Sequence, residues 1–286
     1  LIGNTIIDLK GMYFSYWLIL FSSAVFANLL GLNISATLKK AVNIYILIPF
    51  LLIPQLILSG VFISYDRLNP TISKPSGIPW YGELITARWA FEALAVNQFV
   101  NNKYETEFYK NHKLRSQAKF QIDYKIPSLK NKVASCNKLY EQKKTKSDKY
   151  IDGCELLLNE MRYDTYLSTK VSNSTIGKLE KNIVDGSVLS NISKALASAK
   201  TYHSDIYNKQ DRIIDKIVAL NEKSEASKKR FRELKLNYHN EDLERFVRNT
   251  NNFFTNKIVE YDGQLIQKVD PIFNDPDGAL FNAHFL

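Results

Sequence analysis

No nucleotide-binding signature occurs in this 286-residue chain: GxxxxGK[ST] and GxGxxG are both absent. Neither a phosphate-cradling loop nor a dinucleotide turn is encoded in these residues. GxSxG and HExxH are missing too, which removes a nucleophile elbow and a zinc-bound helix. The four histidines (His112, His203, His239, His284) lie scattered without metal-ligand spacing. One acidic run, DPIFNDPDG at 270–278, resembles a calcium loop until its register is set. With Gly278 at the sixth loop position, Phe273 falls first and His284 twelfth, where carboxylates are needed. The run reads as a turn. No catalytic, metal or cofactor site is therefore expected in these residues.

Charge is scarce where it matters most. Residues 41–65, AVNIYILIPFLLIPQLILSGVFISY, carry none, and neither do residues 11–38. Such lengths fill a bilayer core at helical rise. The mean hydropathy of −0.23 averages this apolar head with a polar body. The first span is predicted at about 12–32, with Tyr13, Tyr16 and Trp17 near one end, where amphipathic rings favour the interface. Ser22, Ser23, Ala24, Ala27 and Gly31 allow close helix packing in lipid. Lys39 and Lys40 place the following loop on the cytoplasmic side. The second span, about 42–64, runs outward, with Pro49 and Pro54 expected to kink or split it. No signal-peptide pattern precedes the first apolar run, and the chain opens on Leu1. The expectation is a fragment of a longer multi-pass protein.

Residues 66–100 are intermediate. Asp66, Pro70, Pro75 and Pro79 mark an irregular stretch, and WYGELITARWAFEALAVNQFV follows. Glu83, Arg88 and Glu92 inside it argue against a span and for a re-entrant or interfacial helix pair. Their spacing of 5 and 4 suits an ion-paired helical face; a role in gating is the second reading.

Beyond residue 100 the pattern is helical, and Val, Ile and Thr never alternate long enough for a sheet. A helix over about 103–141 is expected to be interrupted at Pro127. Ser187 to about Leu236 reads as one long helix. Ile213, Ile217, Leu220, Phe231 and Leu234 form a coiled-coil-like seam, with Ser224 and Ser227 at its weak middle. NYHN at 237–240 ends that helix, and Asn240 caps another with the stripe Leu243, Phe246, Val247, Phe253, Phe254, Ile258. The fold class is all-α: two transmembrane helices, re-entrant helices, then a soluble helical domain built on a long hairpin. Its parts are residues 1–65, 66–100 and 101–286.

Most of the net charge of +9 lies in the last part. Its cations are interleaved with acids, as in KLEKNIVD, which fits solvated helices and weak attraction to anionic lipid rather than nucleic acid. Cys136 and Cys154, 18 residues apart, are either two free thiols or a disulfide, the latter requiring an oxidising compartment.

Residues 28–104 resemble the permease half of G-subfamily ABC transporters, the type-2 exporters of the white and multidrug-efflux kind. GLNISATLKKAVN resembles that family's turn between its fourth and fifth spans. IPFLLIPQLILSGVFISYDRLNP is similar to its fifth helix, with Ser59 and Gly60 as the small-residue pair. PWYGELITARWAFEALAVNQFVNNKYE resembles its re-entrant helices, ending in Glu92, Ala93, Leu94, Asn97 and Phe99. The resemblance implies that Val61 and Phe62 lie at an apolar plug above the substrate path. It also implies a permease dimer in the bacterial inner membrane, driven by ATPase domains that bind ATP and Mg elsewhere. About 180 helical residues stand where the family places its sixth span, so residues 66–286 are expected to be extracytoplasmic. The competing function class is a membrane-anchored scaffold or signalling ectodomain that does not transport.

Overall fold

The computed structural model describes residues 11–38, 40–60, 65, 68–69, 78–250 and 256–273. They are almost wholly helical. Two compact units divide the chain: residues 1–110, 218–251 and 274–286 form one, residues 111–217 and 252–273 the other.

The first unit opens with α1, Tyr13–Thr37. Twenty-five residues at helical rise span about 38 Å, and this is the one described helix long and apolar enough to cross a membrane. Phe14, Leu18, Phe21, Leu29 and Leu32 all point outward from the fold, a surface that only lipid or protein can cover. Tyr16 alone is buried, and its hydroxyl donates to Gln98 Oε1 at 2.5 Å. Helix α2, Ala41–Ile57, is equally exposed and apolar but has 17 residues. It keeps Pro49 and Pro54 within one helix instead of splitting, and it ends several residues before the expected boundary near 64. Two short elements follow, α3 (Trp80–Glu83) and α4 (Thr86–Val100). Residue 102 then turns the chain. Asn102 Oδ1 accepts from the N–H groups of Tyr104 and Glu105, while its Nδ2 donates to the carbonyls of Gln98 and Phe99.

Helix α5, Glu105–Phe120, was expected to continue only to Pro127. Instead a π turn, Gln121–Lys125, leads without interruption into α6, Ile126–Glu141. Proline lacks an N–H and its ring clashes with the carbonyl four residues back. The wider turn relieves both problems and places Pro127 in the first turn of α6, where proline is tolerated.

Helix α7, Asp148–Tyr163, packs on α6. Leu129, Val133 and Cys136 of α6 meet Tyr150, Cys154, Leu157 and Met161 of α7 in one buried cluster. Short helices α8 (Leu167–Lys170) and α9 (Asn173–Glu180) follow, and α10 (Gly186–Asn221) adds Val188, Ile192 and Leu196 to the same core. Cys136 and Cys154 lie together in it as unbonded thiols. Their mutual hydrogen bond, with burial, holds the Cys136 thiol well above the usual range. Gly153 makes this proximity feasible: a Cβ there would lie 2.5 Å from Cys136 Sγ. If residues 101–286 face an oxidising compartment, the pair is expected to bond during folding, giving an 18-residue loop nominally worth about 3 kcal/mol. Non-reducing peptide mapping of protein from its native membrane should recover the Cys136–Cys154 cross-link; two alkylated thiols would refute it.

The long helix expected to reach Leu236 breaks at 222–224. Helix α11 begins at Glu225 and runs to Tyr238. Ser224 caps it, its side chain accepting from Ser227 N while Ser227 Oγ accepts from Ser224 N. The two serines are thus a helix start, not the weak middle of a seam. Asn240 caps α12, Glu241–Val247, through Leu243 N, as the sequence predicts. The predicted stripe stops there. Phe253 and Phe254 fall outside the described residues, and Ile258 opens a strand. A hairpin of β1 (Ile258–Tyr261) and β2 (Gln264–Gln267) pairs Ile258 with Gln267 and Tyr261 with Gln264. It corrects the expectation of no sheet, although the fold remains all-α in class. Asp262 and Gly263 at its tip both have positive φ, as a tight hairpin turn requires.

His239, just beyond α11, sets a pH dependence in the first unit. Its Nδ1 lies 2.7 Å from Glu105 Oε1 and its Nε2 3.2 Å from Glu244 Oε2. Hydrogen bonds to Glu105 and then Glu244 raise its pKa from 6.5 to about 9. Because the folded value is raised, this stabilisation is complete below pH 6.5 and is lost as pH rises through 9. Thermal unfolding should therefore occur at lower temperature above pH 9 than at neutral pH. His239→Gln should flatten that part of the profile; an unchanged profile in the variant would refute the assignment.

Candidate functional site

The end of α2 and the α3–α4 pair meet around one tyrosine. After α2, Ser59 is buried and its hydroxyl donates to Leu56 O at 2.9 Å. Gly60 follows at φ +77°, a conformation that side chains with a Cβ rarely adopt. A Cβ at Gly60 would lie 2.7 Å from the Tyr65 ring. The space this residue leaves is thus filled by Tyr65. The Tyr65 hydroxyl donates to Leu58 O at 2.9 Å. Gly82 of α3 closes the other side, since a Cβ there would lie 2.7 Å from the Tyr65 hydroxyl oxygen. Two glycines therefore hold one phenol between the end of α2 and α3.

Arg88 joins this clamp to α4. It is fully buried. Its Nε donates to Gly82 O at 3.0 Å, Nη1 to Glu92 Oε2 at 2.5 Å and Nη2 to Glu83 Oε2 at 2.7 Å. The Trp89 ring lies 3.8 Å from the guanidinium carbon, and its Nε1 donates to Glu83 O at 2.9 Å. The planar fork thus makes three directed hydrogen bonds, a geometry lysine cannot reproduce. Helical spacing explains the pairing: Arg88 and Glu92 are one turn apart, and Glu83 reaches back from α3. Phe91, from the same helix, meets Phe246 edge-on at 5.7 Å. Trp80 and Leu84 stay largely exposed beside the cluster.

Glu83, Arg88 and Glu92, singled out from the sequence, thus share one cluster, and Gly82 links it to Ser59 and Gly60. Tyr65 and Gly82 were not foreseen, although Tyr65 closes the uncharged run and Gly82 is a glycine inside a helical pattern. Val61 and Phe62 fall outside the described residues. Among the described residues no group of three or more His, Cys, Asp or Glu side chains could hold a metal ion. The arrangement offers no nucleophile with a base. What it provides is a rigid joint between an apolar helix and a helix pair with one buried cation and two carboxylates.

No curated protein and no solved structure matches the chain. Residues 2–99 match the family model of the ABC-2 type transporter. That stretch holds both apolar helices, the Tyr65 clamp and the Arg88 cluster, and the match supports a membrane protein with a transporter permease role.

Proposed function

We propose that this chain is part of the permease of an ATP-driven exporter of the G-subfamily kind in a bacterial inner membrane. The match over residues 2–99 carries the reading. In it, α1 and α2 flank the translocation path. The Tyr65 clamp and the Arg88 cluster form a stiff outer element, and Val61 and Phe62 stand at an apolar constriction. Residues 66–286 are extracytoplasmic, and the permease works as a dimer with a second copy. ATP and Mg are bound by an ATPase domain, fused or separate, whose cycle drives alternating access. The cargo is a compound able to enter an apolar path.

The experiment is ATP hydrolysis by the transporter purified from its native membrane, with and without Gly60→Leu. The leucine must adopt a left-handed backbone and displace the Tyr65 ring. ATPase activity should co-purify with the unmodified chain, and the variant should lose most of its turnover while remaining inserted. A chain that purifies without any ATPase would favour the scaffold class. Extracytoplasmic placement has its own check: labelling of single cysteines in intact cells should reach residue 200 and spare residue 39.

A further inference from the structure

Helix α11 carries five cations, Lys228, Lys229, Arg230, Arg232 and Lys235, against Glu225 and Glu233. None of the five has an ion-pair partner among the described residues. Several cations elsewhere are paired, among them Arg88, Lys125, Lys132, Lys178 and Arg248. The helix half-buries one side. Phe231 packs at 5.6 Å on Tyr104 and 6.2 Å on Phe108. Leu234 and Tyr238 continue that stripe at spacings of 3 and 4, and both are only half exposed. Lys228, Arg232 and Lys235 form a row at spacings of 4 and 3 along one flank of that stripe, with Leu236 and Lys229 next to it around the helix. Leu236 is 77% exposed there. Glu225 lies on the same flank at the helix start and Glu233 borders it beside Lys229, so these four cations face two acids and the flank keeps a net positive charge.

The position of this helix points to what covers the face. A Cβ at Gly11 would lie 3.0 Å from the Tyr238 ring, so the end of α11 lies against the residues leading into α1. Lys103 Nζ stands 5.2 Å from the same ring. Exposed Tyr13, Phe14 and Trp17 begin α1, and such rings gather at head-group level. The C-terminal turn of α11, with Lys235 and Leu236, is therefore level with the membrane interface, where phosphates are the abundant anions. We infer that α11 is a docking face for anionic phospholipid head groups of the protein's own membrane, with Lys228, Lys229, Arg232 and Lys235 meeting phosphates and Leu236 entering the interface. The inference goes beyond the permease role and rests only on the membrane placement of α1.

The test is amide hydrogen exchange of residues 225–238 in the full chain. It is reconstituted in nanodiscs of phosphatidylcholine alone, or with phosphatidylglycerol added. Phosphatidylglycerol should slow exchange across α11 roughly tenfold or more, given the attraction expected per basic residue near an anionic surface. High salt should abolish the slowing. Lys228→Gln/Lys229→Gln/Arg232→Gln should abolish it too, with the Phe231 side intact. Glu225→Gln should enhance it, and this single exposed change tests the proposal independently of the triple variant. Equal exchange in the two lipids, or an equal response from unmodified and triple-variant protein, overturns the docking face. A chain that does not enter nanodiscs at all overturns the placement of α1 instead.

Discussion

Lys125→Met is expected to destabilise the second unit by about 3–5 kcal/mol, the range for breaking a buried ion pair from one side. Lys125 sits in the π turn, with Nζ 2.8 Å from Glu160 Oε2 and 2.7 Å from Asp164 Oδ2. Burial alone would lower its pKa, but Glu160 and then Asp164 hold it above the ordinary lysine value. The methionine fills similar volume and leaves two carboxylates together without their cation. Both are committed elsewhere: Glu160 Oε1 accepts from Leu265 N of β2, and Asp164 Oδ1 from Tyr166 N and Leu167 N. Neither can turn away without releasing the hairpin or the start of α8. Chemical denaturation of the full chain, followed by helical circular dichroism at neutral pH, measures the loss. Adding Glu160→Gln should recover part of it, because one carboxylate is then neutral. A loss below about 1 kcal/mol, within the range of exposed pairs, would show that the triad is solvated.

Arg88→Met is expected to be as severe in the first unit, again about 3–5 kcal/mol. It removes the donors to Gly82 O, Glu83 and Glu92 at once, and Glu92 is itself buried. Arg88→Lys separates charge from geometry. Lysine restores the cation but has no planar fork, so it should recover less than half of the lost stability and of the transporter's ATP turnover. Full recovery by lysine would mean that only charge matters here, and the rigid-joint reading would fall. The yield of folded, membrane-inserted protein and its thermal midpoint in detergent give the comparison.

The sequence carried the parts of this site that depend on local periodicity. Glu83, Arg88 and Glu92 were legible because helical spacing alone brings them together. Tyr65 was not, since what holds it is two missing Cβ atoms, at Gly60 and Gly82, in elements 22 residues apart. The apolar head was plain from the absence of charge. The breaks in the polar body were harder. Ser224 and Ser227 fit a seam at spacing 3 as well as they fit a capping box, and only the chain's turn at 222–224 decides between them. Asp262–Gly263 was the overlooked signal, a two-residue turn whose flanking strands are too short to show alternation. Pro127 misled for the opposite reason. A helix breaker was present, and the helix absorbed it.

That absorbed proline leaves the helix with a phase offset. The π turn inserts one extra residue into the winding between Phe120 and Ile126, so all later positions are rotated by about 100° from where an unbroken α-helix would put them. Leu129, Val133 and Cys136 meet α7 only because of that rotation. Deleting one residue within Gln121–Lys125 would leave composition, hydropathy and length almost untouched, yet it would turn this apolar row away from α7. The segment is therefore intolerant of length change in a way that substitution scanning would never disclose, and a single-codon deletion there should be as damaging as loss of a core side chain.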